Sequence, residues 1–281
     1  MTLVTRTVAL PDGERVPALG LGTWQLGEQR SRRNEEIAAL RLGLDLGARL
    51  IDTAEMYGEG RSETLIAEVI RGRRDEVFIV SKVYPHNATR SGTVAACERS
   101  LRRLGCEALD LYLLHWRGNV PLEETMDAFA RLKASGKIRH YGVSNFDPAD
   151  LEELWQIPEG RAIATNQVLY NLRRRAVEIN VLPWLRRHHI PVMAYSPLEQ
   201  AQLADDPKLL QFARHYGITA ARAAIGWLLA KDNVVAIPRT SSLERMRENL
   251  ATLEHPLTPS QVMELDALFP RPARAGLLEM H

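Results

Sequence analysis

The chain has 281 residues, of which 45% are hydrophobic and 25% are charged, a composition typical of a soluble globular protein with a large core. Its 36 Lys and Arg residues nearly balance 35 Asp and Glu residues, and the formal net charge of +1 gives no overall field that attracts nucleic acid or membranes. The sequence has no leader pattern and no run of about 18 apolar residues, so we expect a cytoplasmic protein with no nucleic-acid or membrane partner.

The first predicted element is a β-hairpin from Thr7 to Pro17, which we expect to act as a plug or lid. Its turn, Pro11-Asp12-Gly13, supplies the fixed and the positive φ values that a hairpin needs. Beyond it, short apolar runs alternate with segments of helical periodicity, a pattern that predicts βα units with a parallel sheet. The eight candidate strands are Ala18 to Leu21, Arg49 to Asp52, Val77 to Ser81, Leu109 to Leu114, Ile138 to Val143, Ala162 to Asn166, Pro191 to Ala194 and Val234 to Ile237.

The predicted helices lie near residues 34–46, 61–71, 91–104, 122–135, 148–155, 178–188, 206–230 and 242–252. The seventh is expected to break at Gly217-Ile218-Thr219, which has the form of a helix stop followed by an N-cap. Eight units favour an α/β fold of the (β/α)8 TIM-barrel type over an open sheet. Such barrels commonly hold about 250 residues, so we expect one domain over residues 1–281, although the length alone also permits two. The tail from Pro270 to His281 should lie irregularly over one face.

Two further features receive a structural interpretation. The arginine clusters at Arg30 to Arg33, Arg71 to Arg74 and Arg173 to Arg175 are interpreted as solvated helix ends without function, in preference to phosphate patches. Cys97 and Cys106 have no third thiol or histidine at metal-binding spacing nearby, so we expect free thiols and no metal site.

Polar residues end the apolar strands. Asp52, Lys82 and His115 each follow such a run, and the later strands end in the pairs Ser144-Asn145, Asn166-Gln167, Tyr195-Ser196 and Arg239-Thr240. In a parallel barrel the carboxyl ends of all strands meet at one face, so these residues converge there. One such residue alone is better explained by a chain that turns toward solvent, but Asp, Lys and His together indicate a functional cluster.

The cluster suits proton donation by a phenol. Tyr57 lies on the loop that leaves the same strand end as Asp52. The pKa of a free tyrosine is about 10, and a nearby ammonium group at Lys82 is expected to lower it. Asp52 would orient Lys82, while His115 would hydrogen-bond a substrate oxygen as that oxygen gains charge.

A polarised carbonyl beside a proton donor needs a hydride, which must come from a cofactor. The stretch from Gly20 to Gln25 begins like the dinucleotide fingerprint G-x-G-x-x-G but has Gln25 in place of the third glycine, which disfavours a Rossmann domain. The P-loop pattern and the H-E-x-x-H zinc helix are absent too, which disfavours nucleotide hydrolysis and zinc proteolysis.

The eighth unit offers another dinucleotide site. Ile237 to Ser242 precedes a predicted helix, and hydroxyl and backbone N–H groups at a helix start favour phosphate. Arg239 and Arg245 are candidates to hold the extra 2′-phosphate of NADPH. Considered alone, the segment is explained equally well by a serine N-cap with surface arginines.

Seven motifs, in order along the chain, resemble those of the aldo-keto reductase superfamily. They are Asp52-Thr53-Ala54-Glu55-Met56-Tyr57-Gly58, Ser81-Lys82, Leu113-Leu114-His115-Trp116, Gly142-Val143-Ser144-Asn145-Phe146, Asn166-Gln167, Ala194-Tyr195-Ser196-Pro197-Leu198 and Ile237-Pro238. The resemblance covers Gly20 to Asn249. Within the family it is closest to bacterial reductases of small aldehydes and α-dicarbonyls.

The resemblance implies a (β/α)8 barrel that binds NADPH across its carboxyl face and reduces aldehydes or ketones to alcohols, with methylglyoxal among the plausible substrates. It implies a tetrad of Asp52, Tyr57, Lys82 and His115, with Tyr57 as the acid. By analogy, the substrate pocket is lined by Trp24, Met56, Tyr57, His115 and Trp116. We also expect a monomer or a weak homodimer.

The resemblance also implies where the parts of NADPH lie. Ser144, Asn145 and Gln167 would bond the nicotinamide carboxamide, and Tyr195 would stack on the ring. Further cofactor contacts are implied for Gly22, Thr23, Trp24, Asp52 and Ile237, for Ser196 and Leu198 at the diphosphate, for Arg239, Thr240, Ser241 and Arg245 at the 2′-phosphate, and for Glu248 and Asn249 near the adenine.

The sequence departs from the family pattern at two places and leaves two other functions open. Arg239 stands where many relatives carry lysine, and the Leu198-Glu199-Gln200 loop is short of glycine. One alternative is a sensor or scaffold that binds NADPH without turnover, which the intact tetrad disfavours. The other is a metal-dependent lyase or isomerase with Asp52, Glu55 and His115 as ligands.

Overall fold

The computed structural model describes residues 6–280. Its first element is the predicted hairpin, in which β1 (Thr7–Ala9) pairs antiparallel with β2 (Arg15–Pro17). Gly13 has a φ of 93°, which the turn requires and which a residue with a side chain rarely adopts. Glu14 accepts hydrogen bonds from Arg139 near the start of a barrel strand. The hairpin therefore plugs the amino end of the barrel.

Eight parallel strands follow in chain order and form one sheet. They are β3 (Leu21–Gly22), β4 (Leu50–Asp52), β5 (Phe78–Val83), β6 (Leu109–Leu114), β7 (Ile138–Ser144), β8 (Asn166–Leu169), β9 (Val192–Tyr195) and β10 (Val234–Ala236). Parallel bridges from Leu19 to Ala236 and from Gly22 to Arg239 join the first strand to the last. The predicted (β/α)8 barrel with an N-terminal hairpin is confirmed.

The seam between β3 and β10 depends on two glycines. The Gly20 and Gly22 N–H groups donate to the carbonyl oxygens of Ala236 and Pro238, each at 2.9 Å. A Cβ atom on Gly22 would lie 2.8 Å from the carbonyl oxygen of Ile237, a distance that real Cβ atoms essentially never show. The glycines that begin like a dinucleotide fingerprint therefore close the barrel by letting two backbones approach.

Ten α-helices surround the strands. They are α1 (Arg33–Asp45), α2 (Arg61–Val69), α3 (Arg90–Leu104), α4 (Leu122–Ala134), α5 (Pro148–Trp155), α6 (Val181–Arg187), α7 (Pro207–Tyr216), α8 (Ala220–Leu229), α9 (Leu243–Ala251) and α10 (Pro259–Leu268), counted over residues 6–280. The predicted break between α7 and α8 is confirmed, with Gly217 at a φ of 62° and the Thr219 side chain capping α8. Within the same residues, no helix combines the length and the apolar character needed to cross a membrane.

Two predicted strands are misplaced, and one helix was not predicted. The sixth strand runs over Asn166–Leu169, and Ala162 ends a 3-10 helix instead. The first strand is confined to Leu21–Gly22, because Ala18 and Gly20 contact β10 only through isolated bonds. Helix α10 was not predicted, since Leu265 is its one buried residue and the apolar periodicity is correspondingly weak.

The tail is irregular, as predicted, over residues 270–280. The Glu279 carboxylate pairs with Arg174 at 2.8 Å, and Leu278 packs against the core. Met280 lines the cavity at the carboxyl ends of the strands. The tail therefore lies over the carboxyl face, and His281 lies outside the described residues.

Candidate active site

A cavity of about 1080 Å³ opens at the carboxyl ends of the strands. Except for Lys82, every residue predicted for catalysis, cofactor or substrate lines it: Gly22, Thr23, Trp24, Asp52, Met56, Tyr57, His115, Trp116, Ser144, Asn145, Gln167, Tyr195, Ser196, Leu198, Ile237, Arg239, Thr240, Ser241, Arg245, Glu248 and Asn249. Lys82 is fully buried and contacts the cavity wall through Asp52 and Tyr57. The fold thus brings together residues that lie more than a hundred positions apart in sequence.

Lys82 and Asp52 form a buried ion pair on neighbouring strands. The pairing of β4 with β5 sets Asp52 opposite Val80, and Lys82 points to the same side of the sheet as Val80 because side chains alternate. The Lys82 Nζ atom donates to both carboxylate oxygens of Asp52 at 2.9 and 2.8 Å and to the carbonyl oxygen of Thr53 at 2.7 Å. These acceptors hold a protonated ammonium group in one place.

Tyr57 begins a 3-10 helix just beyond β4, and its hydroxyl oxygen lies 3.3 Å from Lys82 Nζ. An ammonium group can only donate, so the phenol oxygen accepts this bond and its own proton remains available to another acceptor. Burial, and then the Asp52 charge, raise the pKa of Tyr57 well above 10.0. The prediction that Lys82 lowers this pKa is wrong for the free protein, because burial, the larger cause, and then the Asp52 charge raise the pKa instead. At neutral pH Tyr57 is therefore a phenol.

His115 lies beside this phenol as a neutral imidazole. The two rings meet edge to face, with centroids 5.8 Å apart. Burial, and then the charge of Lys82, hold the pKa of His115 well below 6.5. Its Nδ1 atom is buried and has no hydrogen-bond partner among the described residues. A neutral imidazole can donate one hydrogen bond and accept another.

A second group of polar side chains lies at the carboxyl ends of β7, β8 and β9. A nicotinamide carboxamide was predicted to bind there. The Tyr195 hydroxyl donates to Asn145 Oδ1 at 2.9 Å, and Asn145 Nδ2 donates to the carbonyl oxygen of His115 at 3.1 Å. The Ser144 hydroxyl donates to the Gln167 carbonyl oxygen, and Gln167 Nε2 donates to Asp52 Oδ1 at 2.7 Å. The group is thereby bonded directly to the Asp52 carboxylate.

The segment after β10 and the helix α9 each hold a polar atom without a partner in the described part of the chain. Arg239 Nε and Asn249 Oδ1 are buried and lack a hydrogen-bond partner in the described part of the chain. Burial, and then the charge of Arg32, lower the pKa of Arg239. The Ser242 side chain caps the start of α9 by accepting from the Arg245 N–H group. A guanidinium atom just before α9 and an amide oxygen within α9, both without partners among the described residues, fit a phosphate and an adenine.

Sequence reasoning missed several residues of the cavity. Arg32, whose cluster was interpreted as a solvated helix end without function, is half-buried, lines the cavity and donates to the Ser241 hydroxyl at 2.6 Å. The junction of α7 with α8 adds an apolar wall that carries no sequence motif: Leu210, Ala213, Ile218, Ala220 and Ala221. The sequence carries no motif at these positions, because they are set by how α7 packs over the barrel rim.

A profile of the aldo/keto reductase family matches residues 18–269 of the chain. The chain belongs to this family. It is 46% identical over 270 residues to a methylglyoxal reductase of Escherichia coli strain K12, covering 94% of this chain and 95% of that protein. It is 34% identical over 273 residues to a glyoxal reductase of Bacillus subtilis strain 168, covering 95% of this chain and 94% of that protein.

The reductase also superposes closely on solved members of the family. The TM-score is 0.95 with the crystal structure of an aldo-keto reductase from Klebsiella pneumoniae in complex with NADPH, at 45% identity over 99% of this chain and 100% of that one. The TM-score is 0.87 with a thermostable aldo-keto reductase in complex with the inhibitor epalrestat, at 40% identity over 94% of this chain and 99% of that one. The predicted family and fold are thereby confirmed.

The metal-dependent alternative finds no support in the geometry around Glu55. The Glu55 carboxylate accepts hydrogen bonds from the Tyr84 N–H group and from Asn87 Nδ2, each at 2.9 Å. Asp52 is paired with Lys82, as described above. Over residues 6–280 there is no group of three His, Cys, Asp or Glu side chains arranged to hold a metal ion. Glu55 instead fixes the loop that carries Tyr84 beside the cavity.

Proposed function

We propose that the reductase uses NADPH to reduce aldehydes and ketones to alcohols, with Tyr57 as the general acid. The observation that carries the assignment is the Tyr57 hydroxyl 3.3 Å from a buried ammonium group, at the wall of a large cavity. Membership of the aldo/keto reductase family and the NADPH complex of the Klebsiella relative support the cofactor. The orphaned Arg239 Nε and Asn249 Oδ1 atoms fit its adenosine end.

When bound, NADPH supplies the hydride that reduces the carbonyl carbon. Tyr57 donates its proton to the carbonyl oxygen, so that one hydride and one proton yield the alcohol. The phenolate left on Tyr57 is stabilised by the Lys82 ammonium group and regains a proton from solvent. His115, neutral and beside Tyr57, donates a hydrogen bond to the same oxygen as it gains negative charge.

We assign the cofactor-binding residues by their position along the cavity. Ser144, Asn145 and Gln167 would hold the carboxamide, next to Tyr195 under the ring. Asp52, Gly22, Thr23, Trp24 and Ile237 would border the nicotinamide ribose, with Ser196 and Leu198 at the diphosphate. Arg239, Thr240, Ser241 and Arg245 would hold the 2′-phosphate, and Glu248 and Asn249 the adenine. The connected hydrogen bonds at one end and, at the other, the Arg239 Nε atom without a partner among residues 6–280 support this direction.

The substrates we propose are small aldehydes and α-oxoaldehydes such as methylglyoxal. The aromatic wall beside Tyr57 supports a compact pocket, because the Trp116 ring lies 4.9 Å from His115 and 5.6 Å from Tyr84 between centroids. Trp24 and Met56 also line the cavity. The names of the Escherichia coli and Bacillus subtilis relatives point to the same substrate class.

The experiment that tests this function is a comparison of wild-type protein with Tyr57→Phe. We expect the variant to bind NADPH with unchanged affinity and to lose about 10²- to 10⁴-fold in kcat with methylglyoxal, since only the transferred proton is removed. Turnover is read by NADPH absorbance and affinity by fluorescence titration. Unchanged turnover would reject Tyr57 as the acid, and tight binding with no turnover in the wild type would favour the sensor alternative.

We further propose that residues 1–281 form one domain that works in the cytoplasm as a monomer or weak homodimer. The uninterrupted sheet and the free thiols Cys97 and Cys106 support the first two proposals. Among residues 6–280, large exposed apolar side chains are few: Leu243, Met263, Leu277 and Met280. Light scattering on the purified protein tests the oligomeric state, and a stable tetramer would contradict it.

A further inference from the structure

One arginine of the cavity is not explained by the assignments above. Arg32 ends a 3-10 helix (Arg30–Arg32) on the loop that follows β3, opposite the segment after β10 across the barrel seam. It lines the cavity, and its Nη2 atom donates to the Ser241 hydroxyl at 2.6 Å. A residue from one side of the seam is thus bonded to the other side above the cavity.

The neighbours of Arg32 show how differently it is placed. Arg30 is exposed, and Arg33 turns to the other face of the chain, where its Nη2 atom bonds Glu68. Arg32 is half-buried, and its nearest carboxylate, Glu35, lies 3.7 Å away and is 55% exposed, which makes a weak ion pair. The guanidinium group of Arg32 therefore faces the cavity without a strong counter-charge.

Other positive charges share this end of the cavity. Arg239 and Arg245 both line it, and neither has a carboxylate oxygen within 4.0 Å in the described part of the chain. Burial, and next the Arg32 charge, lower the pKa of Arg239, while the more distant Glu36 and Glu28 oppose this. The Glu36 carboxylate is engaged with the Gly27 N–H group at 2.8 Å. Three guanidinium groups around one end of a cavity favour a ligand with more than one negative charge.

We propose that Arg32 is a third arginine of the 2′-phosphate site and a determinant of the preference for NADPH over NADH. This inference rests on the proposed function, in which Arg239 and Arg245 hold that phosphate. A guanidinium group has five N–H donors in a fixed fork, so Arg32 can keep its bond to Ser241 while another N–H binds a phosphate oxygen. The phosphate is then held from both sides of the seam.

The test is a binding titration of Arg32→Ala, with Arg30→Ala as the matched control from the same short helix. NADPH, NADH, adenosine 2′,5′-bisphosphate and 5′-AMP are titrated against the full chain by protein fluorescence. We expect Arg32→Ala to raise the Kd of NADPH and of the bisphosphate about 10- to 100-fold and to change the Kd of NADH and 5′-AMP less than about twofold. Arg32→Lys should fall between wild type and Arg32→Ala, because it keeps the charge without the fork.

Two outcomes would overturn the inference. In the first, Arg32→Ala binds all four ligands with the same Kd values as Arg30→Ala. In the second, Arg32→Ala weakens the binding of NADPH and of NADH equally, which indicates a structural effect on the loop. Arg239→Ala, titrated in parallel, separates the two levels of the argument. If Arg239→Ala weakens NADPH and Arg32→Ala does not, this inference alone fails, and if neither does, the proposed 2′-phosphate site fails as well.

Discussion

At the barrel mouth the Lys82 ammonium group has acceptors at 2.7 to 2.9 Å, whereas at the rim between β10 and α9 the buried Arg239 Nε atom has no partner among residues 6–280. Both regions carry charge, but only at the barrel mouth does the charged group find its hydrogen-bond acceptors among the described residues. Asp52 offsets part of the cost of burying the Lys82 charge before any ligand arrives, although burial still lowers the pKa of Lys82. At the rim, the positive charge of Arg239 has no such acceptor at its Nε atom, and a bound anion would supply one.

This difference separates the two parts of the reaction. In the proposed mechanism, the groups that act on the carbonyl are fixed in advance, and fixed dipoles need no reorganisation when charge develops. Under the proposed function, the groups that recognise the cofactor are left without all their hydrogen bonds, so that the phosphate would gain bonds that the free protein lacks. Changes at the mouth should therefore lower stability and turnover, while changes at the rim should alter cofactor affinity and leave the fold intact.

The largest expected effect is on stability at the mouth. Lys82→Met leaves the Asp52 carboxylate buried without its counter-charge and should reduce the free energy of unfolding by about 3–5 kcal/mol, measured by urea denaturation. The double variant Lys82→Met/Asp52→Leu should recover much of this loss, because it removes the unpaired charge. A loss below about 1 kcal/mol in the single variant would show that the pair contributes no more than a surface salt bridge, which would contradict the description of the barrel mouth.

The second effect is on affinity at the rim. Arg239→Ala should weaken the binding of NADPH by about 1.5–3 kcal/mol, or about 10- to 150-fold in Kd, and leave the binding of NADH almost unchanged. Arg247→Ala is the matched control, because Arg247 is an exposed residue of α9 that bonds only a carbonyl of its own helix. Unfolding free energies of both variants should match wild type within about 0.5 kcal/mol. Equal losses for NADPH and NADH would rule out a 2′-phosphate contact.

The third effect is a pH dependence that originates at the mouth. Burial, and then Lys82, hold the pKa of His115 below its unfolded value of 6.5, so the unfolded chain binds one more proton in the window between the two values. The stability from neutral His115 is complete above pH 6.5 and is lost as the pH falls through that window. The stability advantage of wild type over His115→Gln should shrink by up to about 1.4 kcal/mol per pH unit there. Parallel pH profiles would contradict a neutral buried imidazole.

The smallest effect concerns backbone strain at the rim. Ala201, beside the cavity, has a φ of 75°, a left-handed conformation that costs a residue with a Cβ atom about 1–2 kcal/mol. Ala201→Gly removes this strain, and the greater freedom of glycine in the unfolded chain offsets part of the gain, which leaves about 0.5 kcal/mol of net stabilisation. Ala204→Gly, on the same loop without a positive φ, should instead destabilise. Thermal unfolding of the two variants distinguishes them.

The barrel and the location of its site were predictable because both follow from rules that single residues obey. Apolar runs alternate with helical segments, and polar residues such as Asp52 and His115 follow the runs, which is enough to place them at one face. The shift of β8 was hidden because Asn166 and Gln167 are buried polar residues inside a strand. Asn166 bonds the Phe146 backbone and Gln167 bonds Asp52, and such long-range partners cannot be identified from one segment.

Other features depended on tertiary contacts. The direction of the Tyr57 pKa shift was predicted wrongly because the sequence places Lys82 nearby but does not show that the hydroxyl is buried or that Asp52 pairs with Lys82. Arg32 could not be distinguished from Arg30 and Arg33, since only the closure of the seam turns it toward the cavity. Helix α10 did carry a local signal, the capping box of Thr258 and Gln261, which was missed for lack of an apolar stripe.

The most direct test of the account is the titration of the Tyr57 hydroxyl in the free protein. With ¹³C label at the Cζ atom of tyrosine, NMR spectra of wild type and Tyr57→Phe identify the Tyr57 resonance, and its shift with pH reports the charge of the phenol. The account predicts that burial and Asp52 keep the pKa of Tyr57 above 10.0, so that the proton given to the substrate is present at neutral pH. A phenol that ionises below 10.0 would contradict it.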